Sequence, residues 1–150
     1  MNFFERLLSN QALVISILAW LIAQILKILI ELLIKKETNY KRLFETGVMP
    51  SSHSAFITSL AVVIGLDKGW ASTEFGIAFG IVCIVTYDAA GIRRAAGNQA
   101  KVINKLITYN HVKNQFDVKL KELLGHSPAE VFVGIVLGII VAVVSKSLLY

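Results

Sequence analysis

Residues 47–54 read GVMPSSHS and lie between a basic loop and an apolar run. Pro50 ends whatever structure precedes it, and the serines after it can cap the start of a helix. The first turn of that helix would place His53 beside backbone N–H groups without intrahelical acceptors, a favourable setting for an anion. A second histidine, His126, lies in a similar setting in the stretch GHSPAE of residues 125–130. Because imidazole exchanges protons near pH 7, the two stretches predict a phosphate-handling site.

The composition indicates a membrane protein. The chain has 150 residues, of which 55% are hydrophobic, and a mean hydropathy of +0.66. This is too apolar for a soluble domain of that size, so we expect one all-α, membrane-embedded domain over residues 1–150. The first apolar run is too long for a cleavable signal peptide. About four transmembrane helices are predicted, at residues 12–34, 54–69, 75–92 and 131–149.

The charge distribution predicts the orientation of the chain in the cell membrane. Four spans place segments 35–53 and 93–129 on one side, with eleven basic residues against three on the other. The eleven are Lys35, Lys36, Lys41, Arg42, Arg93, Arg94, Lys101, Lys105, Lys113, Lys119 and Lys121, and the three are Arg6, Lys68 and Lys146. The positive-inside rule puts both long loops in the cytoplasm. Anionic membrane lipids account for the net charge of +5, and we expect no nucleic-acid partner.

Several charged residues fall inside the predicted spans. Lys27 and Glu31 lie four residues apart, on one face of the first span. They form an ion pair that reaches the membrane interface, or Lys27 contacts an anionic group. Asp88 needs a partner at its depth, either a structural ion pair with Arg93 or Arg94 or a catalytic group that it orients.

The glycine pattern and the polar segment complete the predicted architecture. Gly76-x-x-x-Gly80 and Gly134-x-x-x-Gly138 have the spacing that lets membrane helices approach closely. We expect packing within one chain, with a homodimer as the alternative. Segment 99–124 has apolar residues at helical spacing, which predicts one or two amphipathic helices on the membrane surface or over the site.

The stretch around His126 has a structural interpretation as well. Residues 127–130, Ser-Pro-Ala-Glu, form a capping box with proline at the first helical position. Capping by Glu130 and catalysis are compatible, because a capped helix start would also fix His126. Cys83 is the only cysteine, which excludes an intrachain disulfide.

With these residues identified, the chain resembles the phosphatidic acid phosphatase type 2 and vanadium haloperoxidase superfamily, and more closely its divergent branch of small membrane proteins. Three stretches carry the resemblance: residues 47–55 (GVMPSSHSA), 88–100 (DAAGIRRAAGNQA) and 122–138 (ELLGHSPAEVFVGIVLG). Residues 50–53 match the superfamily's Pro-Ser-Gly-His motif with serine in place of glycine. Residues 126–134 match its His-x-x-x-Asp-Val-x-x-Gly motif with glutamate in place of aspartate.

The resemblance implies a metal-independent phosphatase without a cofactor, which acts on a lipid or prenyl phosphate. It implies that His126 is the nucleophile, that His53 is the general acid, and that Glu130 or Asp88 orients His126. The phosphate would be bound by residues from three segments, namely Lys27, Ser51, Ser52, Arg93 and Arg94.

Two departures from the superfamily pattern bear on activity. The superfamily's Ser-Arg pair just before the nucleophile is absent, and the arginines lie over thirty residues earlier. Its first motif, Lys-x6-Arg-Pro, is matched only by Lys35-x6-Arg42 without the proline, so Lys27 is an equal candidate for that role. The alternative function is a non-enzymatic membrane protein that binds anionic lipid or acts as a scaffold.

Overall fold

The computed structural model describes residues 2–35, 49–109, 120, 122 and 125–149, and this part contains six helices and no strand. They are α1 (Phe3–Leu8), α2 (Gln11–Lys35), α3 (Ser52–Lys68), α4 (Thr73–Ala90), α5 (Ile92–Tyr109) and α6 (Pro128–Leu149). The predicted all-α membrane bundle is confirmed. The short helix α1, closed by a capping box at Asn2, was not predicted.

Three stretches in the described residues are long and apolar enough to cross a membrane: Gln11–Leu33, Thr73–Ile107 and Pro128–Leu148. The predicted second span corresponds to α3, which has only 17 residues. At 1.5 Å per residue α3 is about 25 Å long, slightly shorter than a hydrocarbon core of about 30 Å. Its burial by neighbouring helices, more than its length, defines its place in the bundle.

The helix α3 is the centre of the packing. It contacts α2, α4 and α6, and α6 also packs on α2. One buried apolar cluster joins α2, α3 and α6 around Ile15, Val63 and Ala142. A second joins α3 and α4 around Ile57 and Val82. Ser52, Ser54, Thr58 and Ser59 are buried as well, so small polar side chains line α3 where other helices approach it.

The two glycine pairs have different surroundings. A Cβ on Gly138 would lie 2.5 Å from the Ala55 carbonyl oxygen, and one on Gly134 would crowd the Ser51 carbonyl oxygen in the same way. A Cβ on Gly76 or Gly80 would meet no atom of the described residues within 4 Å. The predicted packing within one chain is therefore confirmed for the α6 pair and wrong for the α4 pair, which faces outward.

The amphipathic helix begins earlier than predicted. α5 starts at Ile92, directly after the chain bends at Gly91, rather than within segment 99–124. Val102, Ile103 and Leu106 expose apolar surface, as expected for a helix at a membrane interface. Residues 110–119, 121, 123 and 124 of the predicted amphipathic segment 99–124 lie outside the described residues.

Candidate active site

The two motif stretches meet at the starts of α3 and α6. Ser51 caps α3, because its Oγ accepts a hydrogen bond from the Ser54 N–H at 3.3 Å. The Ser51 N–H donates to the Glu130 carbonyl oxygen at 3.1 Å. This bond ties the first turn of α3 to the first turn of α6. It also occupies the Ser51 N–H, which is therefore not free to contact a phosphate.

The stretch of residues 88–100 joins the two motif stretches through a backbone hydrogen bond to His126. Its N–H donates to the carbonyl oxygen of Ala89, at the end of α4, at 2.9 Å. Gly125 precedes it with a φ of +82°, in the left-handed region that favours glycine. A Cβ on Gly125 would lie 2.7 Å from the Arg93 carbonyl carbon and 2.7 Å from the Arg94 Cα. Only glycine fits this approach, which brings residues 125–126 against the α4–α5 bend.

The imidazole of His126 is held by Glu130. Its Nδ1 lies 3.0 Å from Glu130 Oε2, and the side chain is buried. The same carboxylate oxygen accepts from the Ser127 N–H at 3.2 Å, and the Glu130 N–H donates to Ser127 Oγ at 3.3 Å. The predicted capping box is therefore confirmed. A carboxylate on Nδ1 favours the tautomer that carries its proton there, which leaves a lone pair on Nε2.

The other ring nitrogen of His126 is free. Nε2 is buried and has no hydrogen-bond partner among the described residues. Burial lowers the pKa of His126, the hydrogen bond and charge of Glu130 oppose this in part, and the charges of Lys27 and Arg93 lower the pKa further. Because the net shift is downward from the usual value of about 6.5, the imidazole is neutral at pH 7.

His126 faces a cavity that it shares with three other predicted site residues. The cavity has a volume of about 160 Å³, large enough for a phosphoryl group, and its lining includes His53, Asp88, Arg93 and His126. The apolar remainder of the lining is Ile84, Val85 and Ala89 from α4. The structure therefore brings two imidazole rings, a guanidinium and a carboxylate to one small space.

Asp88 pairs with Arg93 rather than with His126. Arg93 Nε donates to Asp88 Oδ2 at 2.7 Å, across the bend between α4 and α5. This pair leaves the two terminal nitrogens of Arg93 for an anion. Arg94 does not line the cavity, and its backbone packs beneath Gly125. Of the two carboxylates considered for orienting His126, Glu130 is the one in contact with it.

Lys27 brings a positive charge from α2 to the start of α3. It is 5% exposed, and its Nζ donates to Ser52 Oγ at 3.3 Å. Lys27 therefore points into the bundle rather than out to the interface, near enough for its charge to act on His126. Lys27 is not part of the lining of the cavity, and its contact with Ser52 brings its charge to the start of α3. The side chain of Lys35 and all of Arg42 lie outside the described residues.

Sequence reasoning missed the residues that position this site through their backbone or through neutral contacts. The Ala89 carbonyl has no side-chain signature. Asn104 of α5 donates to the Leu120 carbonyl oxygen and to Glu122 Oε1, both at 2.8 Å, and accepts from the Leu120 N–H at 3.0 Å. These bonds hold the chain a few residues before Gly125. A polar residue on an amphipathic helix usually indicates only a solvated face.

Comparison with known proteins agrees with the resemblance. The model of the family described as "Divergent PAP2 family" matches residues 8–141. The uncharacterized membrane protein YuiD of Bacillus subtilis (strain 168) is 39% identical over 151 aligned positions, which cover 93% of this chain and 96% of YuiD. No solved structure matches the chain significantly. The chain belongs to the divergent PAP2 family of membrane proteins.

Proposed function

We propose that the protein is a membrane phosphatase that hydrolyses a lipid or prenyl phosphate through a phosphohistidine at His126. One observation carries this proposal. The Nδ1 atom of His126 is held by Glu130, while Nε2 is buried, unpaired within the described residues, and on the wall of a cavity shared with His53 and Arg93. A structural histidine in a core would satisfy both ring nitrogens.

The first step is attack of His126 Nε2 on the phosphorus atom of the ester. A nitrogen–phosphorus bond forms, and the bond from phosphorus to the lipid oxygen breaks. Burial and the charges of Arg93, His126 and Lys27 lower the pKa of His53 in the empty site, so His53 takes up a proton as the phosphate dianion binds. It then gives this proton to the departing alkoxide, which leaves as an alcohol. Glu130 stabilises the positive charge that develops on the imidazole ring.

The second step returns the enzyme to its starting state. His53, now neutral, takes a proton from a water molecule as the water oxygen attacks phosphorus. The nitrogen–phosphorus bond breaks, phosphate is released, and His126 regains its lone pair. One water is consumed, and one alcohol and one phosphate are produced.

Charge on the phosphoryl oxygens requires positive groups in fixed positions. The terminal nitrogens of Arg93 suit two oxygens at once, because the guanidinium plane matches a phosphate edge. Lys27 supplies a second charge at the start of α3. The N–H groups of Ser52 and His53, in the first turn of α3, lack intrahelical acceptors and add a helix N-terminus.

The membrane environment supports the substrate class. The site lies at the ends of apolar helices, and the lining contributed by α4 includes Ile84 and Val85. By the positive-inside rule this end of the bundle faces the cytoplasm. A phosphate ester with a hydrocarbon chain could present its head to the cavity while its chain remains among apolar groups.

The decisive experiment is phosphate release by purified protein in lipid nanodiscs from a panel of lipid and prenyl phosphates. We expect His126→Ala to abolish release and His111→Ala, which matches no motif, to leave it unchanged. Vanadate should inhibit by adopting the five-coordinate geometry of the transferring phosphoryl group. The proposed chemistry uses no metal, so EDTA should have no effect.

The scaffold alternative makes a different prediction for the same protein. It requires anionic lipids to bind without turnover, with binding unchanged in His126→Ala. The unmatched first motif, Lys-x6-Arg-Pro, is the feature that favours this alternative, while His53 and His126 favour the phosphatase. Failure of every lipid phosphate to release phosphate, together with that binding result, would replace the phosphatase proposal.

A further inference from the structure

A second cavity adjoins the cavity lined by His53, Asp88, Arg93 and His126, which we call the phosphate cavity. The two cavities differ in polarity. It has a volume of about 360 Å³ and is almost entirely apolar. Three helices line it, with Ile17 and Trp20 from α2, His53, Phe56 and Ile57 from α3, and Val85 from α4. We call it the apolar groove. His53 and Val85 line both cavities, so the two spaces meet at these side chains.

The apolar groove runs away from the charged end of the bundle. Along α2, Trp20 and Ile17 lie seven and ten residues from Lys27, which corresponds to about 10 and 15 Å of helix. Along α3, Phe56 and Ile57 follow His53 by about one turn. The groove therefore begins beside the phosphate cavity and extends toward the middle of the membrane.

The groove is also open to lipid at its side. Within the described residues α2 and α4 each pack on α3 but not on each other. Their gap leaves α3 as the floor of a lateral opening. Ile17 is 44% exposed at its edge, as expected for a side chain that borders the bilayer.

We propose that the apolar groove binds the hydrocarbon chain of the phosphate ester, so that the bond to be broken lies beside His53. This inference rests on the proposed phosphatase function and specifies its substrate, namely a phosphate monoester or diphosphate on a long alkyl or prenyl chain. With phosphorus in the charged cavity and the first carbons in the groove, the leaving oxygen falls at the junction. His53 is the group at that junction, and it is the group assigned to protonate the leaving oxygen.

The size of the groove sets the length of chain that it can recognise. At about 30 Å³ for a water-sized group, 360 Å³ holds roughly a dozen such groups. Chain atoms beyond that number lie outside and extend into the bilayer. After cleavage the alcohol can leave sideways through the same opening, while phosphate leaves toward water.

The first test measures kcat/KM for butyl, octyl, dodecyl and hexadecyl phosphate with protein in detergent. We expect kcat/KM to rise by up to about four-fold for each added methylene, because this is the factor for moving one methylene from water to an apolar site. The rise should reach a plateau near twelve carbons. Ile17→Trp should fill the far part of the groove and lower kcat/KM for dodecyl phosphate by at least about tenfold, and it should lower kcat/KM for butyl phosphate much less, because four carbons stay near His53. Ile139→Trp, on the exposed side of α6, is the matched control and separates groove binding from partition into micelles.

The second test measures binding without turnover. The chain has two tryptophans, so a Trp70→Phe variant leaves Trp20 as the only tryptophan, which can be excited selectively over the tyrosines. A terminally brominated dodecyl phosphate should quench Trp20 saturably, with displacement by dodecyl phosphate and not by dodecyl trimethylammonium. Saturable quenching without release of phosphate would support chain binding in the apolar groove and refute the proposed phosphatase activity. Turnover that is independent of chain length, or equal kinetics of Ile17→Trp and Ile139→Trp, would refute chain binding in the apolar groove and leave the proposed phosphatase activity standing.

Discussion

The contact between α6 and α3 at Gly138 predicts how far a remote change reaches into the site. Gly138 lies eight residues, about two turns, beyond Glu130 on α6 and is not among the residues that line the phosphate cavity. In Gly138→Ala the new Cβ would begin 2.5 Å from the Ala55 carbonyl oxygen and 3.0 Å from Thr58 Cβ. Ordinary contact starts at 3.4 Å, so α6 must move away from α3 by about 0.9 Å.

This displacement allows the effects on stability and activity to be estimated. Overpacking of a filled interface costs about 1–3 kcal/mol. The higher helix propensity of alanine stabilises the folded state by about 1 kcal/mol, and this gain applies to any helical glycine. A misplacement of about 1 Å at reacting groups costs up to about a hundredfold in rate. Gly138→Ala should therefore lower kcat by ten- to a hundredfold while the fold survives.

Gly80→Ala is the matched control, because its Cβ would meet no atom within 4 Å in the part of the chain that the structure describes. The propensity gain is common to both variants, so the difference in unfolding free energy isolates the interface cost of about 1–3 kcal/mol. Thermal unfolding in one detergent and phosphate release in nanodiscs are the two measurements. Equal stability and equal kcat in the two variants would refute the assignment of the α6 glycines to a close packed contact.

Three further predictions concern the site and its orientation. Catalysis needs neutral His126, and Glu130 raises the pKa of His126. Glu130→Gln should therefore move the acid limb of the pH profile of kcat/KM to lower pH and reduce kcat about tenfold or more. An acid limb that stays in place would show that Glu130 does not act on the protonation of His126. Arg93→Lys should lower kcat/KM by about ten- to a hundredfold, because a point charge cannot contact two oxygens as the guanidinium fork does; wild-type kinetics would place Arg93 outside the phosphate contacts. Single cysteines at residues 35–45 in a Cys83→Ser background should resist an impermeant thiol reagent on intact cells, and labelling there would reverse the predicted topology.

The sequence was sufficient to predict the class of fold and to single out the polar residues that line the cavity. A long apolar run reports a membrane helix directly, which is why the bounds of α2 and α6 agree closely with the predicted spans. Pro50 and Gly125 mark helix boundaries by their backbone chemistry alone. The two histidines follow these boundaries, and for that reason their common placement at helix starts could be predicted.

The central place of α3 could not be predicted from hydropathy. Its serines and threonine lower its apolar character, and a hydropathy profile cannot tell whether a helix contacts lipid or other helices. The same limitation explains the wrong expectation for Gly76 and Gly80. Their spacing equals that of the α6 pair, and only the packing shows which pair has a helix against it.

The contacts of α6 give a physical reason for the spacing of its motif. His126, Glu130, Gly134 and Gly138 are each four residues apart, so they form one row at the start and along one side of the helix. The first interval lets the Glu130 carboxylate reach the His126 ring. Glycine at the third position leaves room for Ser51, whose N–H bonds to the Glu130 carbonyl oxygen. Glu130 thus contacts the proposed nucleophile with its side chain and the start of α3 with its backbone. A side chain at Gly134 would disturb both at once, which is why the motif extends beyond the residues that do the chemistry.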